Sequence, residues 1–210
     1  MNARYVDELN AAAARTGVSV AILARLVNAE AAKNAQGEWQ ADSKNASGAV
    51  GLTQFMPKTW RAMAETRGSA LNAYAQKHDY LDPKGKVKSA KLGDLLALRT
   101  DGALSIQTAA DYASANLKQL RASGALPSNA TDQQAARAIY LAHHDGVAGA
   151  IDLVNGEHAS LVGKRLDRVF EQNVPKDRQQ SYLDRAQGSK RDAYALWISD
   201  YLNKAMGKSA

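Results

Sequence analysis

Val20-Ala-Ile-Leu-Ala-Arg-Leu-Val-Asn-Ala-Glu30 is the stretch that decides how this chain is read. Ile22, Leu23, Leu26 and Val27 recur at helical spacing and form one apolar stripe. Ser19 stands just ahead of them as an N-cap. Working outward, the same period returns in Ile106 to Ala113 and in Gln133 to Leu141, both rich in alanine and other helix formers. Ser105 and Thr131 precede those runs as candidate caps, and Pro57 can open a helix at its first turn. Gly68, Gly124 and Gly146 are candidate stops. No alternating strand pattern exceeds four residues. A short β-hairpin near Gln36 to Val50 is compatible with the sequence but not argued by its periodicity. Lys33 to Ser47 and Asp79 to Asp94 read as loops, and no internal repeat is evident. The expected fold class is mostly α.

Composition narrows the functional classes. The 210 residues fit one domain, and 45% hydrophobic with 23% charged residues is ordinary for a globular chain. Arg25 breaks the most apolar stretch, Val18 to Ala29, so no membrane insertion is expected. The first residues carry no apolar core of a standard signal peptide. Absence of cysteine excludes disulfides, thiol catalysis and thiolate zinc sites. The net charge of +6 suits an anionic partner or a plain solvated surface. The last fifty residues hold ten Lys/Arg against six Asp/Glu, without a dense basic run or an aromatic-basic RNA motif. No nucleic-acid partner is expected.

Glu30 continues the apolar stripe, four residues after Leu26 and seven after Leu23. A carboxylate on a core-facing stripe is unusual. Burial and the nearby helix C-terminus both disfavour its charge, the condition a general acid needs at neutral pH. The other reading is a last helical turn that bends the carboxylate out to water. Downstream, Ser47-Gly-Ala-Val-Gly-Leu-Thr-Gln-Phe-Met-Pro-Lys-Thr-Trp60 combines closely spaced glycines with Gln54. The glycines allow close backbone approach, and the Gln54 amide suits sugar hydroxyls and acetamides. Trp60 is either a sugar platform or a core residue. A third block reads Ala138-Ile-Tyr-Leu-Ala-His-His-Asp-Gly146. Adjacent His143 and His144 do not face one another on a helix, and His78 and His158 lack ligand spacing. No metal and no cofactor are expected. No Gly-x-Ser-x-Gly elbow is present for a serine hydrolase.

These three ordered blocks resemble the soluble lytic transglycosylases of the lysozyme-like superfamily, especially their phage endolysin members. That family has a Glu ending an apolar helix, a Ser-x-x-Gly-Leu-x-Gln-Phe-like segment closing on Thr-Trp, and an Ala-Tyr-containing helix end. Ala31 stands where the family usually has Ser. The resemblance implies a single lysozyme-like catalytic domain over residues 1–210, best matched over 18–155, with helices of 156–210 packed on it. It implies an active-site cleft with Glu30 as the catalytic acid. Ser47, Gly48, Gln54, Phe55, Tyr140 and His143 would bind substrate or support the site. The implied activity is cleavage of the MurNAc-β-1,4-GlcNAc bond of peptidoglycan with a 1,6-anhydro product. The implied partner is the glycan strand, met by a monomer that stays in the host bacterial cytoplasm until its release to the wall, or travels with the virion.

Two alternatives stand beside this reading. Asp42 lies twelve residues after Glu30. A water held by it would make the chain an inverting, goose-type muramidase, although Asp42-Ser-Lys-Asn45 also reads as a polar turn. The non-enzyme alternative is a wall-binding virion protein with a basic surface.

Overall fold

The computed structural model describes residues 3–155 and 163–206, and the fold is mostly α. Backbone packing divides the chain into two compact units, Met1–Ala115 and Asn116–Ala210.

In the first unit, α1 (Val6–Thr16) packs on α2 (Val20–Glu30). The Ser19 hydroxyl accepts the Ile22 N–H at 3.2 Å, as an N-cap does. Ile22, Leu23, Leu26 and Val27 are all buried, so the stripe faces the core. The chain leaves the helix at Ala31 in extended conformation. No named strand follows among the described residues. The region where a short hairpin is compatible with the sequence contains isolated antiparallel bridges, Lys33 with Trp39 and Lys44 with Val50.

Those two loops and a third, closed by the bridge between Leu81 and Val87, share one local design. Their sequences are Lys33-Asn-Ala-Gln-Gly-Glu-Trp39, Lys44-Asn-Ala-Ser-Gly-Ala-Val50 and Leu81-Asp-Pro-Lys-Gly-Lys-Val87. In each, the second residue's side-chain oxygen accepts a backbone N–H four residues on: Glu38 to Asn34, Ala49 to Asn45, Lys86 to Asp82. Each fifth residue is a glycine with positive φ. This corrects the expectation of no internal repeat. Only the Asn/Asp, the Gly and a buried apolar seventh residue (Trp39, Val50, Val87) are shared, and the copies are unevenly spaced, so periodicity does not reveal them.

Next come α3 (Pro57–Glu65), α4 (Ala70–Lys77) and α5 (Leu92–Ala97), with α3 packed on α4 and α5. Pro57 opens α3 as expected. Trp60 is fully buried and donates its Nε1–H to the Leu95 carbonyl at 2.8 Å, which makes it a core residue and not a platform. The division between units falls within α6 (Gly102–Ala122). Its cap is Asp101, whose carboxylate accepts the Leu104 N–H at 2.9 Å. Ser105, expected in that role, is buried inside the helix and shares a 2.7 Å hydrogen bond with Thr53. Gly102-Ala-Leu extends the helix backwards and carries the start past it.

The second unit contains α7 (Asp132–Asn155), α8 (Gly163–Asn173), α9 (Lys176–Arg185) and α10 (Lys190–Met206). Thr131 and Gln134 form a reciprocal capping box at the start of α7. Gly146, at φ 76 and ψ 162, is not helical, so α7 is two helical segments that meet at a kink there, in keeping with the stop expected at this glycine. Helix α10 packs on α7, α8 and α9, and Phe170, Val174, Tyr182 and Tyr194 make a core among them. Among the described residues no helix is long and apolar enough to cross a membrane.

Candidate active site

Glu30 is the last residue of α2 and is half-buried. The stripe beneath it is apolar and closed to water, so the carboxylate sits at the edge of the core.

The Gly48–Phe55 segment belongs to the same unit and is tightly specified. A Cβ on Gly51 would lie 1.9 Å from the Arg99 carbonyl oxygen, and its φ is 86. Only glycine fits there. Gln54 holds a left-handed φ of 47, uncommon for a residue with a side chain. Its amide NH2 donates to the Gly51 carbonyl at 2.8 Å and to the Ser43 hydroxyl at 3.1 Å. Those bonds offset the cost of the conformation and leave the amide oxygen for another donor. Strain held in place by surrounding contacts is a feature of sites built for binding.

Arg99 clamps this segment from below. Its side chain is buried, and Nη1 donates at 3.0 Å to both the Gly48 and the Phe55 carbonyls. Nε donates to the Leu96 carbonyl at 2.9 Å. Burial lowers the guanidinium pKa. Sequence reasoning missed this residue, although a lone arginine in Leu95-Leu-Ala-Leu98-Arg99 was its signal. Phe55 is buried at 1% exposure, with its ring 5.4 Å from Trp60 and 6.0 Å from Tyr112 by centroid. Its part is support.

The remaining candidates are more dispersed. Ser47 is exposed at the tip of the second loop, its hydroxyl donating to Asn45 Oδ1 at 2.7 Å. Asp42 is exposed in the turn joining the first two loops. Tyr140 and His143 lie on α7 in the second unit. Tyr140 is 3% exposed, with ring stacking on His144 at 5.9 Å and on Tyr201 at 5.5 Å. His143 is half-buried. Glu30, Asp42, Ser47, Gly48, Gln54 and Phe55 thus share the first unit, and Tyr140 and His143 belong to the second.

A second buried ionisable group was also not foreseen. The Asp145 side chain is 4% exposed, and His144 Nδ1 lies 3.3 Å from Oδ1. Tyr194 points its hydroxyl between the two carboxylate oxygens, at 2.9 and 2.8 Å. Burial first, then the Asp145 charge, pushes the Tyr194 hydroxyl far above the usual phenol range. Among the described residues no group of three His, Asp or Glu is placed to hold a metal ion.

No known protein family, curated protein or solved structure matches this chain.

Proposed function

We propose that this chain is a peptidoglycan lytic transglycosylase that cleaves the MurNAc-β-1,4-GlcNAc bond and works as a phage endolysin in host lysis. The observation that carries the reading is Glu30, a half-buried carboxylate ending an apolar helix, in one unit with a rigid loop that presents Gln54. Most glycosidases need two carboxylates. Here Glu30 acts alone. As an acid it protonates the glycosidic oxygen, and the leaving sugar departs with that proton. As a carboxylate it then takes the proton of the muramoyl C6 hydroxyl while that oxygen bonds to C1. The 1,6-anhydro ring closes and Glu30 is returned to its acid form. Attack within one sugar needs no bound water.

Gln54 offers its free amide oxygen to a sugar hydroxyl or acetamide N–H, with Ser47 and Gly48 on the adjoining loop. The protein meets the glycan strand as a monomer, after release from the host cytoplasm or from the virion. The second reading, an inverting muramidase, draws on the exposure of Asp42, which leaves its carboxylate open to water. The third, a wall-binding virion protein, requires no chemistry from Glu30.

Glu30→Gln tests the proposal. The variant keeps wild-type circular dichroism and clears bacterial cell walls at least about a thousandfold more slowly, in line with the loss of acid-base help. A folded Glu30→Gln protein that clears walls at the wild-type rate removes Glu30 from the mechanism.

A further inference from the structure

The first of the three Asn/Asp-Gly loops differs from the others in what its two closing residues do. Lys33 and Trp39 are bridge partners. The Asn34 N–H donates to the Glu38 carbonyl at 3.0 Å and the Gln40 N–H to the Ala32 carbonyl at 2.9 Å, which holds the two residues opposite each other. Both side chains reach back to one residue, Asn28, in the last turn of α2. Lys33 Nζ donates to the Asn28 carbonyl at 2.6 Å and to the Ala31 carbonyl at 3.4 Å. Trp39 donates its Nε1–H to Asn28 Oδ1 at 3.3 Å. The indole is itself fixed, buried and stacked on the Tyr5 ring with centroids 6.2 Å apart. In the other two loops the seventh residue is a valine, which carries no side-chain donor.

The grip falls where α2 needs it. The Val27 carbonyl accepts the Ala31 N–H at 2.8 Å, but Ala31 then turns to extended backbone at φ -66 and ψ 130. The next helical bond, to the Asn28 carbonyl, is therefore lost. Open carbonyls let the last turn of a helix fray. The Lys33 ammonium fills that vacancy with a charge-assisted bond. Glu30 belongs to the same turn, so the loop fixes the backbone from which its carboxylate projects. An acid acting on a glycosidic oxygen needs that precision, since a displacement of about 1 Å can cost about a hundredfold in rate.

We infer that Lys33, Asn28 and Trp39 are positioning residues for Glu30, clamping the last turn of α2 so that the carboxylate is presented in one place. The inference rests on Glu30 being the acid of the proposed reaction. The three residues act through Glu30 and not on the substrate.

Steady-state kinetics of the full-length chain on soluble, uncross-linked peptidoglycan strands test it, together with amide exchange. Lys33→Met lowers kcat about tenfold and leaves KM within about twofold, the pattern of a lost transition-state interaction. Its Ala31 amide exchanges about tenfold faster, as a frayed last turn requires. Lys33→Arg, which still donates to carbonyls, brings kcat back to within about threefold of wild type. Asn28→Ala removes the acceptor of the Trp39 bond while raising helix propensity, so kcat falls about threefold without a fall in Tm. Should Lys33→Met fail to fold, the Arg and Ala variants decide. An unchanged kcat in Lys33→Met or in Asn28→Ala overturns the inference. So does a rise in KM at constant kcat, which puts Lys33 on the substrate, or an equal loss in Lys33→Arg. Glu30→Gln separates the two claims. If it is folded and inactive while Lys33→Met exchanges faster at wild-type kcat, the positioning role falls and the acid stands. If folded Glu30→Gln works at the wild-type rate, the acid falls and the positioning role with it.

Discussion

In the first unit Arg99 is 8% exposed and directs its guanidinium at backbone carbonyls of Gly48, Phe55 and Leu96. In the second, the Asp145 side chain is 4% exposed and its two oxygens share the single O–H of the Tyr194 phenol, at 2.9 and 2.8 Å. Each is a buried ionisable group, and each lies against a glycine: Gly51 under the Arg99 carbonyl, Gly149 with its Cβ position 2.8 Å from the Asp145 Cβ. The difference lies in what the partner is attached to. Carbonyls belong to the backbone, so Arg99 fixes the path of a loop. The phenol belongs to a side chain, so Asp145 ties α7 to α10 beside the break at Gly146. The first arrangement specifies the course of a loop, and the second specifies helix packing.

The largest way to break this comparison is Gly51→Ala. The added methyl overlaps the Arg99 carbonyl at 1.9 Å and meets a φ of 86, so the loop must move. The expected loss is about 4 kcal/mol or more, the range of severe backbone lesions, read in a urea melt. A loss under about 1 kcal/mol contradicts the tight packing of that loop.

Arg99→Met comes next. It keeps the length of the side chain and removes the donors to three carbonyls. Unsatisfied buried groups cost about 1–3 kcal/mol each, and partial relaxation leaves an expected loss of about 3 kcal/mol. Hydrogen exchange sharpens the contrast. Amides of the Gly48–Phe55 segment lose protection in this variant, and those of α10 do not.

Tyr194→Phe is the counterpart in the second unit. It leaves the Asp145 carboxylate without its phenol donor, at an expected cost of about 2 kcal/mol. Here the loss of exchange protection falls on α7 and α10 and spares the Gly48–Phe55 amides. If both variants loosen the same amides, the division of roles between the two groups is wrong.

The smallest effect belongs to Glu65, a partly exposed carboxylate. Burial works to raise its pKa, but bonds from Lys86, the Val87 N–H and Arg61 outweigh it and hold the pKa below its ordinary value. A depressed carboxylate stabilises the fold above its unfolded-state pKa, about 4.3, and loses that contribution as pH falls through the folded value. Glu65→Gln therefore costs about 1 kcal/mol at pH 7, and the difference from wild type closes on acidification below that range. A difference that is constant with pH argues against the ionised carboxylate as its source.

Much of this was legible in the sequence. The Ser19 cap, the stripe from Ile22 to Val27, Pro57 at a helix start and the Thr131 box are local features, and local chemistry decided them. The Glu30 position followed from the same stripe. What the sequence concealed is non-local. Arg99 acts across 44 residues on Phe55, and Tyr194 across 49 on Asp145. No period links such partners. Ser105 was mistaken for a cap because its tertiary partner, Thr53, cannot be seen from the run it precedes. The three Asx-turn loops escaped for a different reason, since three shared positions in seven residues, at uneven spacing along the chain, are too few to stand out.

The measurement that bears most directly on the proposed chemistry is the product itself. Purified peptidoglycan is digested with the wild-type chain, and the muropeptides are weighed before and after borohydride treatment. The account predicts 1,6-anhydromuramoyl ends, about 18 Da lighter than hydrolytic products and unchanged by borohydride, because no water is added across the bond. It also predicts the same products from Asp42→Asn and none from Glu30→Gln. Predominantly reducible ends, lost when Asp42 is replaced, would contradict it and make Asp42 the base of an inverting muramidase.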